Sequence, residues 1–426
     1  MTRTAPSARH VLAASLVGTT IEFFDFYIYA TAAVLVFPRL FFPPGDAAVA
    51  TLQSLATFAL AFLARPLGAI LFGHFGDRMG RKATLVAALL TMGVSTVCIG
   101  LLPSYARVGV FAPVALALCR LGQGVGLGGE WGGAVLLAVE NAPPGKRAWF
   151  GMFPQLGAPI GFVCSSGVFL LITHWASEQQ FLAWAWRIPF LCSALLVGVG
   201  LYVRLKLVET PEFARTLEQQ ERVRVPLKVV VGEHRRALVL GTLAGISTFL
   251  VFYMMTVFSL GWGTAHLGFG RQQFLVLQMA AVAALAMAIP ASALVAQRHG
   301  TPRALGLASL VVLASAAAYG PLFGSGSSLG AFLAMAAGFA AMGMTYGPLG
   351  TLVADLFPTA VRYTGASLAF NLSGIVGASF APAIATWLAG RHGLGAVGWY
   401  MAAAGAVSLL VALVMGSSHD AQRAVR

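Results

Sequence analysis

The chain has 426 residues, of which 58% are hydrophobic and only 10% charged, and its mean hydropathy is +0.82. That composition excludes an ordinary water-soluble domain, whose surface needs about a quarter of its residues charged. The formal charge is +13, from 27 Lys and Arg against 14 Asp and Glu. A nucleic-acid partner is excluded by where those charges lie, as the loops show below.

Apolar stretches of roughly 20 residues, the length that crosses a bilayer, begin near Val11, Thr51, Ala83, Gly109, Trp149, Trp186, Ala237, Gln272, Ala304, Leu329, Tyr363 and Ala396. They predict twelve membrane helices and an all-α polytopic fold. Arg3 and Arg9 precede the first stretch, but it runs on to Phe37 and contains Glu22 and Asp25, so it reads as a membrane helix and not as a cleaved leader. With the N-terminus inside, 20 Lys and Arg fall in cytoplasmic segments, five in outer loops (Arg39, Arg107, Arg187, Arg271, Arg391) and two, Arg65 and Arg120, inside helices. This asymmetry follows the positive-inside rule, places both termini in the cytoplasm and accounts for the basic balance without nucleic acid. Cys98, Cys119, Cys164 and Cys192 lie in predicted helices without metal-ligand spacing and read as small core residues.

In chain order, helix 1 carries Glu22 and Asp25 at i,i+3, on neighbouring positions of one face. Helix 2 brings Arg65 and ends on Gly73-His74-Phe75-Gly76-Asp77-Arg78-Met79-Gly80-Arg81-Lys82, a charged glycine-rich reversal in which Gly73, Gly76 and Gly80 allow close backbone approach. Helix 4 holds Arg120 and Glu130, ten residues and hence about 15 Å apart along the axis. An unpaired charge at the bilayer centre costs at least ~2.5 kcal/mol, so these ionisable residues are the first candidates for function. Every histidine maps to a loop, terminus or helix end, which leaves proton traffic to the carboxylates. Polar side chains at membrane depth are candidate substrate contacts: Tyr27 in helix 1, Gln155 in helix 5, Tyr253 in helix 7, Tyr346 in helix 10 and Asn371 in helix 11. No nucleophile and base, metal cluster or cofactor motif occurs, so an enzyme is not expected.

Two echoes divide the chain. Glu140, Pro143 and Arg147 recur as Asp355, Pro358 and Arg362, 215 residues on, and the Gly76 to Arg81 segment recurs more weakly at Ala296 to Thr301, where Gln297 follows Asp77 by 220 residues. Such offsets indicate a duplicated six-helix unit, with halves at 1–204 and 237–426 and a polar linker of some helical content at 205–236, which reads as a solvated face.

The Gly73 to Lys82 decapeptide resembles the cytoplasmic signature of the major facilitator superfamily. Ile21-Glu22-Phe23-Phe24-Asp25-Phe26-Tyr27, Ala64-Arg65-Pro66-Leu67-Gly68, Arg120-Leu121-Gly122-Gln123-Gly124, Gly128-Gly129-Glu130-Trp131-Gly132-Gly133, Phe153-Pro154-Gln155-Leu156-Gly157 and Arg362-Tyr363-Thr364-Gly365 together resemble its metabolite:proton symporter family across nearly the whole chain. The resemblance implies a major facilitator fold of two pseudo-symmetric six-helix bundles in a bacterial inner membrane, surrounded by lipid and working as a monomer. It implies import of a small organic acid by proton symport through alternating access, with proton-coupled proline or betaine carriage and organic-anion uniport or antiport as rivals. Asp25, Glu22 and Arg120 are then the proton-coupling residues, with Arg120 also gripping the substrate beside Gln155, Tyr27, Tyr253, Tyr346 and Asn371. Gly73, Asp77, Arg78, Gly80, Arg81, Glu130, Glu140, Arg147, Asp355 and Arg362 would gate the conformational change.

Overall fold

The computed structural model describes residues 8–79, 81–205 and 226–424, with the side chains of 8–10, 77–79, 81 and 418–424 excepted. The expectations for Asp77, Arg78, Gly80 and Arg81, and for most of the linker, therefore lie outside the described residues.

A backbone that crosses lipid must satisfy its own hydrogen bonds, and the chain does so with helices alone; the described residues contain no strand. Twelve spans result: α1 (Val11–Leu35), α2 (Ala47–Gly76), α3 (Lys82–Leu101), α4 (Phe111–Glu140), α5 (Arg147–Trp175), α6 (Ala185–Leu205), α7 (Arg235–His266), α8 (Arg271–His299), α9 (Thr301–Phe323), α10 (Ser328–Asp355), α11 (Thr359–His392) and α12 (Leu394–Ser417). The starts fall close to those expected, the largest offsets being Ala47 for Thr51 and Thr359 for Tyr363. Their outer faces carry exposed apolar side chains, among them Leu67, Leu195, Leu410 and Trp399, as a lipid-facing surface requires. Cys164 and Cys192 are also exposed on those faces, so neither is the core residue the sequence suggested; only Cys98 and Cys119 are partly covered.

Packing repeats with a step of six helices. In the first half α2 packs on α4, α3 on α4 and α6, and α1 on α5; in the second α8 packs on α10, α9 on α10 and α12, and α7 on α11. The two bundles meet where α2 packs on α11 and α5 on α8. An even number of spans puts both chain ends on one side, called here the termini side.

The helix continues through Met79, so Gly73 and Gly76 lie within it and not in a turn as expected. Their close approach is to the other bundle: a Cβ on Gly73 would sit 2.9 Å from Thr364 Oγ1, and one on Gly76 2.8 Å from the Tyr363 ring. The equivalent reversal in the second half turns on one glycine. Gly300 (φ 88°) ends α8, and Thr301-Pro302 opens α9 at once.

Candidate functional site

Helix α1 is the axis of the site, because its middle turns face other helices on every side. Glu22 and Asp25 are buried there, as are Arg65 on α2, Arg120 and Glu130 on α4, and Arg204 on α6. The structure does not pair Asp25 with Arg120 directly. It pairs Glu22 Oε1 with Arg65 Nη2 at 3.6 Å and Glu130 with Arg204, and it leaves Asp25 and Arg120 joined through an uncharged residue. That residue is Gln123, three positions after Arg120 on the same helix face. Arg120 Nη1 donates to Gln123 Oε1 at 2.5 Å, and Gln123 Nε2 donates to Thr96 Oγ1 at 2.8 Å and to the Asp25 carbonyl at 3.4 Å. The Asp25 carboxylate accepts from Ser193 Oγ at 2.8 Å through Oδ2, while Oδ1 has no hydrogen-bond partner.

Arg120 sits in an aromatic box. Its guanidinium carbon lies 3.9 Å from the Tyr29 ring centre, 4.3 Å from Phe26 and 5.2 Å from Phe58, and such faces stabilise a cation by electrostatic attraction to the ring quadrupole. Phe26 also takes Arg65 at 5.0 Å and so separates two guanidiniums. The Nε and Nη2 groups of Arg120 are buried without a partner, and no carboxylate among the described residues comes within ion-pair distance. Tyr253 of the second bundle closes over this box, 5.4 Å from both Phe58 and Phe62.

The other expected contacts form a layer between the bundles. Tyr27 stacks on Phe252 at 5.2 Å and on Phe23 at 5.5 Å, and Phe23 meets Tyr346 edge-on. Gln155 Oε1 accepts from Trp131 Nε1 at 3.0 Å, and Trp131 lies flat against Phe370 of α11, centroids 3.5 Å apart. Asn371 donates to the Gly128 carbonyl at 3.0 Å. Gln155 Nε2, the Tyr346 hydroxyl and Asn371 Oδ1 are buried with no partner. Tyr27 and Tyr253 thus approach the Arg120 box, Gln155 and Tyr346 gather around Trp131, and Asn371 belongs to the closure on the termini side.

That closure joins the two sequence echoes crosswise. Glu140 meets Arg362 at 3.6 Å and Arg147 meets Asp355 at 3.0 Å, each acid in one half holding the arginine of the other. Tyr363 adds a bond from its hydroxyl to the Gly129 carbonyl at 2.5 Å. On the opposite side Arg271 reaches Glu178 at 3.3 Å and Gln272 bonds the Thr173 carbonyl at 2.8 Å, so the bundles are held together at both faces.

Three participants escaped sequence reasoning. Gln123 and Ser193 carry no charge to mark them, although Gln123 has the right spacing from Arg120. Arg204, the last residue of the first half and one of the 20 Lys and Arg assigned to cytoplasmic segments, is buried at the last turn of α6 with Glu130.

The profile of the sugar (and other) transporter family matches residues 10–234. The inner membrane metabolite transport protein YhjE of Escherichia coli (strain K12) is 54% identical, over 96% of this chain and 94% of its own. The chain belongs to the sugar (and other) transporter family and has the major facilitator fold. The shikimate transporter of the same organism is 35% identical to this facilitator, over 98% and 96% of the two chains. The proton:xylose symporter XylE, solved with 6-bromo-6-deoxy-D-glucose bound, shares the facilitator's fold with a TM-score of 0.77 over 96% of this chain and 95% of that one, at 15% identity. The facilitator is a multi-pass membrane transporter of metabolites and not an enzyme.

Proposed function

We propose that this facilitator imports a small organic acid together with a proton across a bacterial inner membrane, with its termini in the cytoplasm. The observation that carries the reading is Arg120: a buried guanidinium without a carboxylate beside it and with two N–H groups unpartnered. A buried charge is costly until it is paired, and a planar fork of donors matches a carboxylate's two oxygens. The substrate's carboxylate supplies the missing anion. Gln155, Tyr346 and Asn371 offer unpartnered polar atoms for its remaining groups, and Tyr27 and Tyr253 supply ring faces. The name of the shikimate transporter agrees with an acid as substrate, that of XylE with a proton as the coupled ion, and the surplus of Lys and Arg on the termini side with a cytoplasmic orientation.

In the cycle, Asp25 takes a proton on its free Oδ1 from the outer side, and the substrate docks on Arg120. The bundles then rock about the aromatic layer, and the crossed pairs Glu140–Arg362 and Arg147–Asp355 separate to open the cytoplasmic side. Gln123 links the two events, since it touches Arg120 and the Asp25 backbone together.

The test is uptake into proteoliposomes of labelled shikimate, alpha-ketoglutarate, citrate, proline and betaine, with and without an inward proton gradient. Gradient-driven accumulation of an acid is expected. Asp25→Asn should abolish accumulation and spare exchange; a variant that still accumulates would remove Asp25 from the coupling. Equilibration indifferent to the gradient would make the protein a uniporter, and accumulation of betaine would make the aromatic layer the recognition element.

A further inference from the structure

Glu130 and Arg204 lie apart from the substrate layer, and nothing in the cycle above uses them. Their position is fixed by Gly18. A Cβ on Gly18 would stand 2.7 Å from Arg204 Nη2 and 3.3 Å from Glu130 Oε1, so the pair fills the notch that this glycine leaves in α1. Gly18 precedes Glu22 by four residues, one helical turn toward the cytoplasm on the same face. Asp25, Glu22 and Glu130 therefore form a descending series along one side of α1. Each is buried, and each keeps one carboxylate oxygen without a partner: Oδ1 of Asp25, Oε2 of Glu22 and Oε2 of Glu130. Below them Ser15, Gly18, Glu130, Ala134, Leu137 and Arg204 line a small, partly open pocket with about 10 Å³ free for a water's centre, close to the least that holds one water.

The cations facing this series are equally specific. Arg65 approaches Glu22 at a loose 3.6 Å, and Arg204 engages Glu130 through Nη2 while its Nη1 donates to the Leu85 carbonyl at 2.5 Å. All these residues sit in the first bundle, on α1, α2, α4 and α6. The substrate layer, by contrast, lies between the bundles.

We propose that Glu22 and then Glu130 carry the symported proton from Asp25 toward the cytoplasm inside the first bundle, so that proton and substrate leave the site by different routes. The inference rests on the proton-symport reading. The transfer is a relay of one proton: it leaves Asp25 for the free oxygen of Glu22, passes to the free oxygen of Glu130, and is released to water from the pocket beside Arg204. Once the proton has gone, Glu22 is left ionised beside Arg65, Glu130 beside Arg204, and Asp25 on the Ser193 hydroxyl, and no other reactant is consumed. The loose Glu22–Arg65 contact is the movable member, and the tight Glu130–Arg204 contact restores the last stage.

The experiment compares gradient-driven accumulation with substrate counterflow in proteoliposomes, since a loaded carrier can exchange substrate without releasing its proton. Glu130→Gln should slow accumulation by at least about 100-fold, the lower range of what a positioned proton carrier contributes, and leave counterflow at the wild-type rate. Because that change strands the Arg204 guanidinium, the paired variant Glu130→Gln with Arg204→Met is measured beside it, and the same split is expected. A static brace can be replaced by a neutral pair, whereas a proton carrier cannot. Recovery of accumulation in the paired variant, or wild-type accumulation in the single one, would overturn the relay. Wild-type protein that ignores the proton gradient would instead overturn the symport reading beneath it.

Discussion

The two bundles repeat one another in packing and differ in chemistry. Every fully buried charged side chain among the described residues (Glu22, Asp25, Arg65, Arg120, Glu130, Glu140 and Arg204) belongs to the first bundle, while the second buries only hydroxyls, Gln278 and Asn371 among its polar groups. The second bundle differs in its backbone instead. Its α7 and α11 contain π-helical turns at Met254–Phe258 and Ile375–Ser379, and Gln278 of α8 donates to the Met255 and Thr256 carbonyls within the first of these, both at 2.8 Å. A buried charge tolerates little rearrangement, because separating it from its partner is expensive. A π-turn marks a place where a helix changes its winding. The division teaches that the two bundles, alike in packing, are specialised differently: one buries the charges and the other carries the irregular helices.

The largest test of this division is at Arg120. Arg120→Lys keeps the charge but loses the planar fork and the ring stacking, and should weaken substrate binding at least about 30-fold, equivalent to roughly 2 kcal/mol. Equilibrium binding to detergent-purified protein measures it, and an unchanged affinity would take recognition away from Arg120.

Gln278→Leu probes the opposite side of the comparison. It removes a buried side-chain donor from the Met255 and Thr256 carbonyls and strands no new one, so a stability loss of about 1 kcal/mol is expected, read as a lower thermal midpoint, with the proton-to-substrate ratio unchanged. A shifted ratio would mean that the second bundle takes part in coupling after all.

The crossed pairs on the termini side connect the halves, and their effect should be smaller. Arg147 and Asp355 are both substantially exposed, and such pairs contribute only about 0.2–1 kcal/mol. Asp355→Asn should raise the population open toward the termini side accordingly, seen as faster maleimide labelling of a cysteine placed at Gly350. Combination with Arg147→Gln measures the coupling of the two side chains, expected within that same range.

The smallest effect is expected at the opposite face. Slight burial acts to raise the Glu178 carboxyl, but Arg271 and Arg39 more than reverse it, so this group titrates below the usual glutamate range. A depressed carboxyl stabilises the closed face above its ordinary range, and the contribution disappears as pH falls through the lowered value. A spin-label distance measured across that face should thus be independent of pH from neutral down to that range and then lengthen; Glu178→Gln should remove the change.

The composition and the spacing of apolar runs were enough to determine twelve membrane helices, since lipid permits few alternatives to a helix of the right length. The echo of Glu140, Pro143 and Arg147 in Asp355, Pro358 and Arg362 showed the duplication, and burial cost alone singled out Glu22, Asp25, Arg65 and Arg120. Which of these meet was decided only by the tertiary structure. A one-dimensional pattern gives the height of a residue on its own helix but not the rotation of that helix against its neighbours. So Asp25 and Arg120, both expected to couple the proton, are linked only through Gln123, Arg204 turns out to be buried beside Glu130, and the repeated acids and arginines proved to bind each other across the halves. Each of those outcomes depends on how helices far apart in sequence are turned toward one another, and that is settled by packing.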